Sequence, residues 1–191
     1  MTSNILFFDI ETRPITERAD HWTKGDVSKM ALDVDFAKVA ALGYALDAEP
    51  VKVLVAGDDN AERALLREFY AKFADCRRLC GYNVLGYDMH IILRRAFTLG
   101  VKPTRHFDFR RYSQHDVIDL MQLFYNWGTT PGPRYRGLKA VCQLYGIDIP
   151  AGDLDGAQSL TLPLNELAEY CRSDVHITRE LARKMHGWYW W

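Results

Sequence analysis

The chain opens on an unbroken apolar and partly aromatic run, Ile5-Leu6-Phe7-Phe8, followed at once by Asp9-Ile10-Glu11-Thr12. Such a run predicts a strand covered on both faces. Residues 13–38 are polar and interrupted by Pro14 and Gly25, and read as a long loop with at most a short helical turn. Trp22 is expected to cover the sheet edge. Residues 39–46 and 51–56 predict two strands joined by Asp47-Ala48-Glu49-Pro50, forming an antiparallel trio with the first. Asp59 or Asn60 caps a helix to about Ala74, with Leu65, Leu66, Phe69 and Phe73 on its apolar stripe. Residues 78–82 predict a strand, and 87–99 a helix stopped by Gly100. Residues 117–119 predict a short strand leading into a helix through Leu120, Leu123 and Phe124. A Gly/Pro loop over 128–137, a short helix over 137–145, irregular chain over 146–163 and a closing helix from 164 to about 186 complete the pattern. Hairpin strands followed by alternating helices and strands predict an α/β fold: a mixed sheet flanked by helices.

The length of 191 residues suits a single domain spanning 1–191 with a substantial core. An apolar fraction of 48% and a charged fraction of 26% are those of an ordinary globular protein. The net charge of −1 gives no global sign of nucleic acid, although a neutral total is compatible with a local basic face. Cys76, Cys80, Cys142 and Cys171 lack the paired spacing of a zinc site and are expected to be reduced, buried thiols in a cytoplasmic protein. No apolar stretch approaches the roughly 18 residues of a membrane span, and no signal-peptide pattern opens the chain, so no membrane partner is expected.

Asp9 and Glu11 change the picture. Two residues apart on a strand, they project from one face. Two such carboxylates about 4 Å apart repel by roughly 4 kcal/mol at an effective dielectric of 20. A divalent cation held only by oxygens, Mg²⁺ or Mn²⁺, would relieve that repulsion. The plain alternative is a solvated strand-end turn. Further along, Asp88 stands at a strand-to-helix junction, where a macrodipole role would also explain it. Asp174 follows Tyr170 by four residues, so the two share one side of the closing helix. An acid on that partly apolar side is costly unless paired. Arg172 and His176, each two residues from Asp174, face elsewhere. His90, His106, His115 and His176 read as structural, and Asp116 and Asp119 as nearby acids of open role.

F-D-I-E-T, N-x-x-x-Y-D and Y-x-x-x-D, in that order, resemble the three motifs of the DEDD exonuclease superfamily. The tyrosine places the resemblance in the DEDDy branch. The runs E-Y-C-R-S-D and H-D-V-I-D-L resemble stand-alone exonucleases related to the proofreading domain of family-B DNA polymerases. The resemblance covers nearly the whole chain and implies a ribonuclease H-like fold. It further implies a metal-dependent 3′→5′ exonuclease that releases nucleoside 5′-monophosphates from single-stranded DNA with two divalent cations, Mg²⁺ or Mn²⁺. By position, Asp9 would bridge both metals, Glu11 and Asp174 would hold the one that activates water, and Asp88 would support the second. Tyr170 would orient the attacking water. Thr12, Asn83 and Tyr87 would contact the terminal nucleotide, Tyr87 by stacking. Tyr87 stands where the family often has phenylalanine.

Arg94, Arg95, Lys102, Arg105, Arg110 and Arg111, then Arg134, Arg136 and Lys139, interleave with Phe97, Phe107, Phe109, Tyr112 and Tyr135. Cations for phosphates and rings for bases suit a single-strand groove, with Arg134 and Arg136 on a loop able to close over a strand end. The alternative is a solvated basic surface. The expected partner is a single-stranded 3′ end, DNA favoured over RNA. An exoribonuclease and a catalytically silent nucleic-acid-binding module are the competing functions. The aromatic end Trp188-Tyr189-Trp190-Trp191 would either pack back on the domain or meet a second copy or another protein.

Overall fold

The opening apolar run is the middle strand of a five-stranded mixed sheet in the computed structural model, which describes residues 4–23, 25–110, 112–113, 115–132, 135–150 and 156–189. Strand β1 (Ile5–Pro14) pairs antiparallel with β2 (Ala37–Leu46), and β2 pairs antiparallel with β3 (Lys52–Val55). On its other edge β1 pairs parallel with β4 (Arg78–Gly81), and β4 pairs parallel with β5 (Val117–Asp119). The order is β3-β2-β1-β4-β5. Both the antiparallel trio and the parallel strands expected from the pattern are present, in the ribonuclease H-like arrangement.

Alternation along β1 explains why its run is apolar throughout. Leu6, Phe8 and Ile10 enter one core with Leu65, Phe69 and Ile92 from α1 (Asp59–Lys72) and α2 (Asp88–Leu99). Phe7 enters the opposite core, built with α3 (Leu120–Phe124), α4 (Leu138–Leu144) and α6 (Leu164–Met185). Asp9 and Glu11 follow Phe7 on this second face. The same period that packs the strand therefore aims both carboxylates at α6.

Gly43 sets how close α6 comes. It pairs with Asp9 across the β1–β2 ladder. A Cβ there would stand 2.8 Å from Val175 Cγ2 and 3.1 Å from Cys171 Sγ. A side chain at this position would hold the helix off the strand that carries the acids. On the far face, a buried ion pair joins α1 to α2: Arg95 Nη2 lies 2.7 Å from Glu62 Oε2, and Glu62 Oε1 accepts the Val39 N–H at 2.8 Å.

Some local expectations need correction. Residues 13–38 are not one loop. β1 runs on to Pro14, and two 3-10 turns follow, Thr16–His21 and Val27–Leu32. Trp22 meets Phe36 edge-on at 5.2 Å and donates from Nε1 to the Gly25 and Asp26 carbonyls, so it anchors its own loop. Helix α1 is capped by Asp58, which accepts the Asn60 and Ala61 N–H groups at 2.9 Å. The stretch read as irregular after Gly146 holds a further turn of helix, α5 (Gly156–Ser159). Gly100 ends α2 as expected, at φ +67°. The four cysteines are free and buried.

Candidate active site

The acids distant in sequence converge. Carboxylate oxygens of Asp9, Glu11 and Asp174 all lie within 4.8 Å of one another. β1 supplies the first two and the third turn of α6 supplies the third. Asp88, at the start of α2, accepts the Ile10 N–H through Oδ1 at 3.2 Å and is thereby tied to β1. With Asp9, Asn83, Tyr87 and Arg136 it lines a groove of about 380 Å³. Three acids thus form a tight cluster, and the fourth stands on the groove side of Asp9.

Their electrostatics are those of charges crowded out of water. Burial, reinforced by Asp88, Glu11 and Asp174, pushes the Asp9 carboxyl well above the usual carboxylate range, and Lys139 offsets this only in part. Burial and the Asp174 charge push Glu11 to about 8, against a hydrogen bond from Ser159. Burial raises Asp88 to about 7 and Asp174 to about 6, the latter against the pull of Lys139 and a hydrogen bond from Tyr170.

The donor set fits a hard divalent cation. It is all oxygen, and among the described residues Asp174 Oδ1 is buried without a hydrogen-bond donor. Lys139 Nζ lies 3.8 Å from that atom and 3.9 Å from the Tyr170 ring centre. Among the described residues, one ammonium beside three carboxylates leaves the cluster short of positive charge.

The other expected residues fall in different places. Tyr170 shares its side of α6 with Asp174, as the spacing required. Asn83 and Tyr87 line the groove. The Tyr87 and Thr12 hydroxyls lie 2.7 Å apart and both reach the Ala31 carbonyl, Thr12 at 2.8 Å, so their two protons are shared among three contacts. The Thr12 side chain is therefore engaged in the groove wall, and the Tyr87 ring is held with its hydroxyl turned inward. Arg136 lines the groove and its carbonyl accepts the Tyr82 hydroxyl. Arg134 lies outside the described residues, as do Arg111, Trp190 and Trp191.

Several cations of the basic run have local partners. Arg95 is buried between Glu62 and Asp59, Arg94 pairs with Asp35, and Arg110 pairs with Asp108. Arg105 donates to the Cys76 carbonyl and lies over Phe107. These four cations make local contacts, and Arg95 alone of the four is buried. His176 and Arg172 line a separate hollow on another side of α6, away from Asp174 as expected.

Three residues gain roles that the sequence reading did not assign. Ser159 donates to Glu11 Oε2 at 3.0 Å, and nothing in its irregular segment signals a contact 148 residues away. Lys139 was grouped with phosphate-binding cations, yet it reaches the cluster itself. Asp119 is fully buried and accepts the N–H groups of Asn83, Leu85, Met121 and Gln122 at 2.9–3.2 Å. It caps α3 and pins the turn that carries Asn83, which is held at φ +64°. An acid at a strand end just before a helix carries a capping signal that was present in the sequence. Asp119→Ala is expected to leave these amides unpaired and to lower stability by about 2–4 kcal/mol, read from urea denaturation. A loss below about 0.5 kcal/mol would show that water replaces the carboxylate.

A mixed sheet whose central strand presents acids to α6, with a fourth acid lining the adjoining groove, defines a ribonuclease H-like domain. The chain belongs to the family described as predicted 3′-5′ exonuclease related to the exonuclease domain of PolB, which matches residues 31–181. That span includes Asp88, Tyr170 and Asp174 and begins after Asp9 and Glu11. No curated protein matches the chain. Among solved structures, the family B DNA polymerase of the hyperthermophilic archaeon Pyrobaculum calidifontis is similar at TM-score 0.64 and 19% identity, over 95% of this chain and 24% of that one. A product-bound exonuclease I is similar at 0.59 and 13%, over 97% and 43%. E. coli exonuclease I in complex with a dT13 oligonucleotide is similar at 0.58 and 12%, over 96% and 41%. The chain thus spans less than half the length of each, and the likeness is one of fold.

Proposed function

We propose that this domain is a metal-dependent 3′→5′ exonuclease that removes nucleoside 5′-monophosphates from single-stranded DNA. The observation that carries the reading is the convergence of Asp9, Glu11 and Asp174 on one oxygen-only site beside the groove that Asp88 lines. Divalent cations held there, two by this reading and either Mg²⁺ or Mn²⁺, would supply a lowered pKa for the attacking water and neutralise charge on the phosphate. Asp9 belongs to the cluster with Glu11 and Asp174 and lines the groove with Asp88, which supports a role toward both ions. Tyr170, hydrogen-bonded to Asp174 and beside the Lys139 ammonium, would orient the attacking water. Asn83 and Tyr87 would seat the last nucleotide, and Arg136 a phosphate. Water attacks phosphorus, the bond to the 3′ oxygen of the penultimate nucleotide breaks, and that oxygen leaves with the bonding pair and takes up a proton. The dT13 complex of a relative of like fold supports a single strand as substrate.

Labelled single-stranded DNA and RNA of equal sequence, each with Mg²⁺, Mn²⁺ or EDTA, test the reading. A ladder from the 3′ end of DNA, abolished by EDTA, is expected. A ladder on RNA alone would make the protein an exoribonuclease, and binding with no ladder on either would make it a silent binding module. Tyr170→Phe is expected to slow turnover by roughly a hundredfold while leaving the stabilisation by metal intact.

A further inference from the structure

Glu11 is held by a hydroxyl from far along the chain. Ser159 Oγ donates to Glu11 Oε2 at 3.0 Å, and the two residues are 2% and 8% exposed. The terminal torsion of a glutamate is broad, so its carboxylate turns easily until something fixes it. A buried donor at a set position fixes it here.

Ser159 is itself held in place. It ends α5 in a turn where its carbonyl accepts the Leu162 N–H at 3.2 Å and the Gln158 carbonyl accepts the Thr161 N–H at 3.3 Å. Leu162 and Leu164 pack against Ala40, Ala41 and Leu167. The ladder between β1 and β2 skips Ala40 beside Glu11, an irregularity that bends the strand pair. Arg13, two residues beyond Glu11 on β1, donates from Nη2 to the Leu162 carbonyl. Alternate residues of β1 therefore meet Cys171 of α6 at Asp9, then Ser159 at Glu11, then Leu162 at Arg13. The turn over 158–162 is docked on the strand at two points, and one of them is an acid of the cluster.

Resting on the metal-site reading of Asp9, Glu11 and Asp174, we propose that Ser159 is a positioning residue that holds the Glu11 carboxylate turned for the cation and so raises the affinity of the site. It acts through Glu11. A ligand already fixed by an outer hydrogen bond loses less freedom when the ion binds. Outer partners of this kind are worth about ten- to a hundredfold in metal affinity.

Mn²⁺ binding without nucleic acid, followed by the paramagnetic resonance of the free ion, tests the proposal on the full chain and its variants. Ser159→Ala should weaken the tighter Mn²⁺ site by about tenfold or more, and Ser159→Thr, which keeps the hydroxyl, should recover most of the loss. In a Glu11→Gln background Ser159→Ala should change Mn²⁺ affinity by less than about twofold, because the two residues act as a unit. In hydrolysis of single-stranded DNA, the Mn²⁺ concentration giving half-maximal rate should rise in proportion, with kcat at saturating Mn²⁺ within about threefold of wild type. Should threonine prove too large for the buried position, its Tm in EDTA falls below that of Ser159→Ala, and the Glu11→Gln comparison alone decides. Unchanged Mn²⁺ affinity in Ser159→Ala, or an equal loss in the Glu11→Gln background, overturns the positioning role and leaves the metal site standing. A wild type that binds no Mn²⁺ overturns both. Mn²⁺ binding that depends on Ser159, without hydrolysis of DNA or RNA, ends the exonuclease reading and keeps the role of Ser159.

Discussion

Asp9→Asn is expected to lower 3′→5′ hydrolysis by about a thousandfold or more and yet to raise the melting temperature in EDTA. The two effects have one origin. Asp9 is the acid whose charge is opposed by Asp88, Glu11 and Asp174 together, on top of its burial. Without metal, removing that charge relieves repulsion while keeping the shape of the side chain. With metal, the same change would delete the ligand proposed to serve both ions, and transition-state charge would lose its stabilisation. Millimolar Mn²⁺ should therefore raise the Tm of the wild type by several degrees and that of the variant by much less. The strand itself should survive, since β1 is held by its ladders to β2 and β4 and by Leu6, Phe8 and Ile10. Thermal melts with EDTA and with Mn²⁺, beside the 3′-end assay, read all three effects. A variant that melts lower in EDTA would mean that Asp9 is stabilising as a charge, and the cluster would then not be the strained, cation-seeking group described here.

Much of this was legible in the sequence, and the parts that were not share a cause. β1 announced itself because burial on both faces leaves no polar position before Asp9, and the period of two then fixed where Asp9 and Glu11 point. The Tyr170–Asp174 spacing gave one helix face by the period of 3.6 alone. Signals of this kind are local. What the sequence concealed was set by tertiary approach. Ser159 meets Glu11 only because α5 folds beneath the end of β1, and Lys139 meets Asp174 only because α4 packs on α6. Arg95 looked like one cation among many until Glu62, from another helix, was placed beside it. Gly43 looked like a weak point in a strand, and its purpose emerges only when Val175 and Cys171 are seen to occupy the space of its missing side chain. Charge counting along a chain cannot tell a cation that faces a groove from one that closes an ion pair.

The metal-free protein should lose stability as pH rises from about 5 to 8.5. The sign follows from the direction of the shifts. Asp9, Glu11, Asp88 and Asp174 all hold their protons to higher pH folded than unfolded, reaching about 8 for Glu11, about 7 for Asp88 and about 6 for Asp174. The folded state therefore binds more protons across this window, and its advantage, complete below the ordinary carboxylate range, is lost as pH climbs through the raised values. Each excess proton changes stability by about 1.4 kcal/mol per pH unit. For a chain of this size that is roughly 3–5 °C in Tm per unit. The carboxylates shifted the other way, Asp26, Glu68 and Asp108, titrate below the ordinary range and leave the window untouched. Divalent metal should reverse the trend, because it binds the deprotonated cluster and releases the protons that the fold was holding. Melting curves in EDTA and in Mn²⁺ from pH 5 to 8.5 should diverge as pH rises, with the metal-induced increase largest at the alkaline end. Asp9→Asn should flatten the EDTA curve. A metal-free Tm that is level or climbs over this range would mean that the four acids titrate as solvated groups, with no crowded pocket for a cation to relieve.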